Sequence, residues 1–243
     1  SAPDPQLRLE TMLVRSGTGT DPATGAITTP IHLSTAYGHP GLGESTGYDY
    51  TRTASPTRDV LQDALARLEG GTAAFALSSG MAALELVTRT LAPHGSRIVA
   101  LRDLYGGSFR FLEVLAEEGA ARVDFVLGLE GLRGALADPA DLVIIETPTN
   151  PMMEEISIPE AAELAHAAGA RLVVDNTFYT PVVQRPLELG ADVVVHSGTK
   201  YLGGHNDVMA GGALVGDDAP AARLDHPPNT TRGAPGPLPS LPP

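Results

Sequence analysis

Lys200 is the only lysine among 243 residues, and it lies in Ser197-Gly198-Thr199-Lys200-Tyr201-Leu202-Gly203-Gly204-His205, directly after the apolar run Ala191 to Val195. A single amine set among hydroxyls and glycines at a strand end is suited to holding an aldehyde covalently as a Schiff base. Taken alone, Lys200 reads better as one solvated surface charge in a chain whose other cations are arginines. Other segments overturn that reading.

Several apolar runs end in residues able to do chemistry. After Leu77 comes Ser78-Ser79-Gly80-Met81, whose backbone amides open a helix and can hold a phosphate through the helix dipole and unpaired donors. By itself this is more often just a turn. After Leu101 comes Asp103-Leu104-Tyr105-Gly106-Gly107, which places an aromatic ring at a strand end, where most tyrosines merely pack. Ile145 is followed by Glu146-Thr147-Pro148-Thr149-Asn150-Pro151, read as a rigid polar loop whose Asn150 can donate a hydrogen bond to a ring oxygen. Asp175-Asn176-Thr177 puts a carboxylate at the end of a buried run, where it must either cap backbone amides or meet a cation.

One ligand accounts for all of these strand ends, and that ligand is pyridoxal 5'-phosphate. Its phosphate calls for Gly80, Met81, Ser197 and Thr199, its ring face for Tyr105, its ring nitrogen for Asp175 and its aldehyde for Lys200. Asn150 and Thr177 complete the expected binding set. A carboxylate that keeps the ring nitrogen protonated makes the ring an electron sink, so Asp175 matters chemically as well as structurally.

The elements that must position these residues are legible as apolar runs alternating with helical stripes. Pro56 suits a first helical position, Ser55 can cap it, Val60, Leu61, Ala64, Leu65 and Leu68 form a stripe, and Gly70 can stop it, which predicts a helix over 56–69. Further helices are expected from Gly80 to about Leu91, over Gly107 to Glu118 and over Pro159 to Ala168. A helical hint lies near Leu7 to Val14. Strands are expected at Ala73 to Leu77, Arg97 to Leu101, Val123 to Leu127, Leu142 to Glu146, Arg171 to Asp175 and Val193 to Val195. Continuous apolar strands between helices predict an α/β fold, with a mostly parallel sheet covered by helices on both faces and ligands beyond the carboxyl ends of the strands.

Composition narrows the functional classes. A content of 42% hydrophobic residues suffices for a core, and a formal net charge of -13 disfavours nucleic acid or an anionic membrane surface as partner. With no cysteine there is no disulfide, thiolate metal site or cysteine nucleophile. No apolar run approaches the roughly 20 residues of a membrane span, and no basic-then-apolar leader is seen, so a cytoplasmic location is expected. His196 and His205 flank the lysine loop without a third ligand at metal spacing and read as loop hydrogen-bonders, and no metal site is expected.

The string Tyr48-Asp49-Tyr50-Thr51-Arg52-Thr53-Ala54-Ser55-Pro56-Thr57-Arg58 resembles the Y-S-R-x-x-N-P-T motif of the Cys/Met metabolism pyridoxal-phosphate enzymes. Ser79-Gly80-Met81-Ala82-Ala83, Tyr105-Gly106-Gly107, Glu146 to Pro151, Val173 to Thr177 and His196 to His205 are similar to that family in order and spacing, over about residues 28–215. The resemblance implies the large domain of a fold-type I, aspartate aminotransferase-like enzyme. It makes Lys200 the Schiff-base lysine and proton carrier, places Asp175 at the ring nitrogen and stacks Tyr105 on the ring. It also implies a homodimer or homotetramer in which Tyr50 and Arg52 reach the neighbouring chain's phosphate.

Two departures from the family pattern stand out. Ser55 replaces the usual Asn, a change expected to affect only a helix cap. Beyond Val215 the resemblance fades, and 8 of the 21 prolines fall in residues 217–243, where the family continues into a smaller C-terminal domain carrying an arginine for the substrate carboxylate. The expected organisation is an extended arm over 1–47, a cofactor-binding domain over 48–216 and a proline-rich tail over 217–243 unable to form a long helix. Gly107 stands where methionine γ-lyases carry cysteine, which argues against that activity. The resemblance favours trans-sulfuration of the cystathionine γ-synthase type, in which cysteine replaces the γ substituent of an activated homoserine ester. A cystathionine γ- or β-lyase is the alternative, and a truncated, non-catalytic cofactor-binding or dimer-interaction remnant is the alternative from another class.

Overall fold

A computed structural model of the chain describes residues 7–225. In chain order the elements are α1 (Leu9–Arg15), α2 (Pro56–Glu69), β1 (Ala73–Leu77), α3 (Gly80–Leu91), β2 (Ser96–Leu101), α4 (Gly106–Glu117), β3 (Ala121–Val126), α5 (Gly128–Ala135) and β4 (Leu142–Glu146). There follow α6 (Ile158–Ala167), β5 (Arg171–Asp175), α7 (Thr180–Val183), a 3-10 turn (Pro186–Leu189), β6 (Val193–Ser197), β7 (Gly211–Val215) and α8 (Asp218–Asp225).

The strands form one sheet in the order β1-β7-β6-β5-β4-β2-β3. Neighbours from β6 through β3 pair in parallel, and β7 runs antiparallel between β6 and β1. The carboxyl ends of β1 to β6 therefore lie along one edge, with the start of β7 beside them: Gly211 is in register with both Leu77 and Ser197. Ile98, Leu142, Val143, Leu172 and Val173 are fully buried, and each large apolar side chain so placed contributes about 1.5–3 kcal/mol. Alternation assigns the two faces. Ala74, Val194 and Leu214 cluster with Leu61, Leu65 and Ala66, while Phe75, Val195 and Ala213 join Ala83, Leu84 and Val87. Helices α2 and α3 thus cover opposite faces.

Helix α2 spans the predicted 56–69, with Pro56 in its first turn and Gly70 terminating it at φ 73°. The expectation for Ser55 is corrected: it occupies the cap position, but its buried side chain makes no capping hydrogen bond. The work at this end is done by buried Arg58, whose guanidinium donates to the carbonyls of Thr51 (2.8 Å) and Arg52 (3.4 Å) and so clasps the Tyr50–Arg52 segment onto α2. Residues 16–55 contain two isolated bridges, Thr18 to Thr28 and Ala36 to Tyr50, and no helix or strand.

Two further expectations change. Strand β7 is absent from the prediction because Ala210-Gly211-Gly212-Ala213 lacks the branched apolar residues that mark a strand. The segment predicted to begin a proline-rich tail opens instead with helix α8, where Pro220 lies in the first turn and tolerates its missing amide, and where Leu224 is buried. The remaining tail prolines lie outside the described residues. Among the described residues no helix is long and apolar enough to cross a membrane, and no cluster of His, Asp and Glu could hold a metal ion.

Candidate active site

The strand ends enclose a cavity of ≈ 230 Å³. Nine of the sequence-predicted residues line it: Gly80 and Met81 at the start of α3, Tyr105 before α4, Asn150 after β4, Asp175 and Thr177 after β5, and Ser197, Thr199 and Lys200 after β6. Tyr50 and Arg52 are not among the lining residues. They sit together, with the Arg52 guanidinium 5.4 Å from the Tyr50 ring centroid.

Close backbone approach brings the start of α3 over the sheet edge. A Cβ on Gly211 would fall 2.0 Å from the Ser79 carbonyl oxygen, and one on Gly80 would fall 2.8 Å from the Ser197 Cβ. Ser79 caps the helix by accepting a hydrogen bond from the Ala82 amide at 3.1 Å. Gly80 and Met81 are the first residues of this helix and line the cavity, where unpaired first-turn amides and the helix dipole favour an anion.

Hydrogen bonds hold the polar floor together. Thr177 donates to Asp175 Oδ1 through its amide (3.0 Å) and its hydroxyl (2.5 Å), and its Oγ1 accepts from the Ser197 amide at 2.9 Å. Thr177 thus fixes Asp175 and ties β5 to β6. Thr199 exchanges hydrogen bonds with the backbone of Ala210, so its hydroxyl also pins the loop to the start of β7. Lys200 lies exposed in the turn after β6, its amide donating to the Ser197 carbonyl at 3.2 Å. Burial pushes the Asp175 carboxyl up from its ordinary range, opposed by the Thr177 hydrogen bonds and by His196.

Glu146 is a site residue to which the sequence analysis gives no role, although it closes the predicted strand Leu142 to Glu146 and opens the polar loop motif. It ends strand β4, is 5% exposed, stands opposite Asp175 in the ladder, and accepts the Tyr105 amide on Oε2 at 2.5 Å. Burial and then the neighbouring Asp175 push its carboxyl up to about 8. The signal was available, because Glu146 closes an apolar run just as Asp175 does. Tyr105 is held from two sides: its backbone by Glu146, and its ring by Gly107, where a Cβ would come within 2.4 Å of the ring.

His196 is corrected as well. It lies within β6, not in a loop, and its Nε2 meets Glu69 Oε1 at 2.5 Å with both side chains buried. Asn176 donates to the same Glu69 oxygen at 3.0 Å and to the Gln184 carbonyl, so a buried polar layer stands behind the strand ends. His205 is the loop hydrogen-bonder expected, with Nδ1 3.1 Å from the Gly203 carbonyl.

The donor set fits pyridoxal phosphate. It offers a helix start and small side chains for a phosphate, a carboxylate for a ring nitrogen, an aromatic ring beside them and one amine. Comparison with known proteins agrees. The family model for Cys/Met metabolism PLP-dependent enzymes matches residues 10–240. The chain is 47% identical over 212 residues to a cystathionine gamma-synthase/O-acetylhomoserine (thiol)-lyase of Bacillus subtilis, covering 86% of this chain and 57% of that protein. It is 42% identical to a cystathionine beta-lyase of Lactococcus lactis, covering 84% and 54%. A crystal structure of cystathionine gamma synthase from Xanthomonas oryzae superimposes with a TM-score of 0.94 at 39% identity, covering 97% of this chain and 61% of that one. The chain thus spans little more than half the length of the relatives it matches. With a family model that matches residues 10–240, a relative 47% identical over 86% of the chain and a shared fold over 97% of it, the chain belongs to the Cys/Met metabolism family of PLP-dependent enzymes, whose cofactor is pyridoxal phosphate.

Proposed function

We propose that this chain forms the cofactor-binding part of a trans-sulfuration enzyme of the cystathionine γ-synthase type, acting on an activated homoserine ester and cysteine. The observation that carries the reading is the convergence of Lys200, Asp175 and the start of α3 on one cavity. The relative named for the synthase reaction is more similar, at 47% identity, than the one named for the lyase reaction, at 42%, which favours replacement over cleavage. Cystathionine gamma synthase from Xanthomonas oryzae has also been crystallised with cystathionine, the product this reading assigns to the reaction.

When bound, the cofactor supplies an electron sink for bonds at the substrate amino acid. The chain's own residues do the rest. Lys200 Nζ holds the aldehyde and carries protons between substrate carbons. Asp175 keeps a proton at the ring nitrogen, with Thr177 holding the carboxylate in place. Tyr105 covers the ring, and the Gly80 and Met81 amides with the Ser197 hydroxyl receive the phosphate. Among the described lining residues Lys200 is the only cation, which supports a role for Tyr50 and Arg52 at a partner chain's phosphate in a homo-oligomer.

Reductive trapping tests the attachment. Borohydride treatment of the cofactor-loaded chain followed by peptide mapping should place the label on Lys200, and Lys200→Ala should remove it. Label on the N-terminal amine, or label retained by the variant, refutes the assignment.

A further inference from the structure

Glu146 and Asp175 are directly paired across the parallel β4–β5 ladder, where neighbouring strands run about 4.8 Å apart. Two carboxyls this close in a poorly solvated place do not both ionise near neutrality, so the pair retains a proton. Hydrogen bonding decides which group keeps it. Asp175 Oδ1 receives two donors from Thr177, and His196 lies behind it on β6, whereas Glu146 receives the Tyr105 amide alone. Asp175 also keeps partial contact with the cavity, and Glu146 is 5% exposed. The other titratable groups lining this cavity are Lys200, on the loop after β6, and Tyr105 itself.

We propose that Glu146 is a positioning residue acting as a neutral acid: its Oε2 fixes the backbone of Tyr105, and by keeping the shared proton it leaves the negative charge on Asp175. The inference rests on reading the cavity as the cofactor site. The upward displacement of its carboxyl, to about 8, agrees with this assignment. An ionised Glu146 would set a second negative charge beside Asp175 and compete with it for the ring nitrogen's proton. A neutral one keeps the hydrogen bond to Tyr105 without that competition.

Two measurements test this, the first with no cofactor present. An acid whose folded value is raised lends stability that is fully present below its unfolded value and is lost as pH rises towards the folded value. Urea unfolding of wild type and Glu146→Gln is therefore compared from pH 5 to 9. The ratio of unfolding constants, wild type over variant, should climb by up to about tenfold per pH unit and level off near 8. A ratio independent of pH overturns the proposal.

The second measurement is cofactor affinity, followed by absorbance at pH 7. Glu146→Gln should stay within about threefold of wild type, and Glu146→Ala, which frees the Tyr105 amide, should lose about tenfold. A Gln variant as damaged as the Ala variant would mean that charge at Glu146 is required, and the proposal falls. If wild type itself binds no cofactor, the reading of the cavity fails, and the unfolding ratio alone decides where the proton sits.

Discussion

Asp175→Asn exposes the logic of the site, because it changes one atom and leaves the scaffold around it. In the wild type, Oδ1 accepts both Thr177 hydrogen bonds, at 3.0 Å from the amide and 2.5 Å from the hydroxyl. The amide oxygen of the variant can accept both, so β5 and β6 remain tied and the fold persists. The second carboxylate oxygen, which takes part in neither bond, becomes an NH2 group. A ring nitrogen carrying a proton would then face a donor. The ring can bind only with that nitrogen unprotonated, exchanging a charge-assisted hydrogen bond of about 1.5–3 kcal/mol for a neutral one of about 0.5–1.5 kcal/mol. The difference, about 1–2 kcal/mol, weakens cofactor binding roughly 5- to 30-fold. Proton exchange at the α carbon of a bound amino acid should fall further still, since it depends on the protonated ring as well as on occupancy. The assay is a cofactor titration by absorbance at matched pH, with far-ultraviolet circular dichroism as the folding control and deuterium exchange at saturating cofactor. Affinity within twofold of wild type together with unchanged exchange would show that Asp175 is not the ring's partner.

Two further predictions concern what supports the cavity. Glu69 and His196 form a fully buried pair in which Glu69 Oε2 and His196 Nδ1 have no hydrogen-bond partner among the described residues. Removing one member by Glu69→Ala should cost about 3–5 kcal/mol, while Glu69→Gln, which keeps the accepting oxygen but buries an unpaired donor, should cost about 1–3 kcal/mol. Thermal unfolding reads both, and a midpoint for Glu69→Ala equal to that of wild type would remove the pair from the account of stability. If Tyr50 and Arg52 serve a partner's phosphate, mixing Arg52→Ala chains with Lys200→Ala chains should restore cofactor binding to about half the sites of each hybrid pair. Binding no better than in the separate variants would place the phosphate contacts within one chain.

The parts of the fold written in local chemistry were legible in the sequence. Leu142–Glu146 and Arg171–Asp175 fall where expected because a strand covered on both faces must be a continuous apolar run, and α2 ends where Gly70 permits a left-handed turn. Features that depend on distant partners were not legible. Strand β7 is small and glycine-rich because Ser79 and the start of α3 rest on it, and that close approach is visible only when residues 79 and 211 are brought together. The pairing of His196 with Glu69 joins positions 127 residues apart, so His196 alone reads as any polar residue near a loop. Glu146 closes its strand as expected, but its role was not legible, because that role depends on Asp175 of the neighbouring strand and on the amide of Tyr105, 41 residues away.

Charge balance links the cavity to the segment outside it. With Glu146 neutral, Asp175 answers the protonated ring nitrogen and Lys200 is given to the aldehyde, so the described lining has no remaining cation for a phosphate. The start of α3 supplies the equivalent of about half a positive charge and two amides, which is less than a phosphate of charge about -1.5 to -2 requires. An arginine from elsewhere would close the gap. Arg52 is suited to that role: it stacks near Tyr50 on a segment held to α2 by Arg58, a side chain 1% exposed that spends its guanidinium on the carbonyls of Thr51 and Arg52. A buried arginine given over to fixing one short irregular segment makes physical sense if that segment must present its own side chains in a set geometry. The mixing experiment asks whether the recipient is a second copy of the chain.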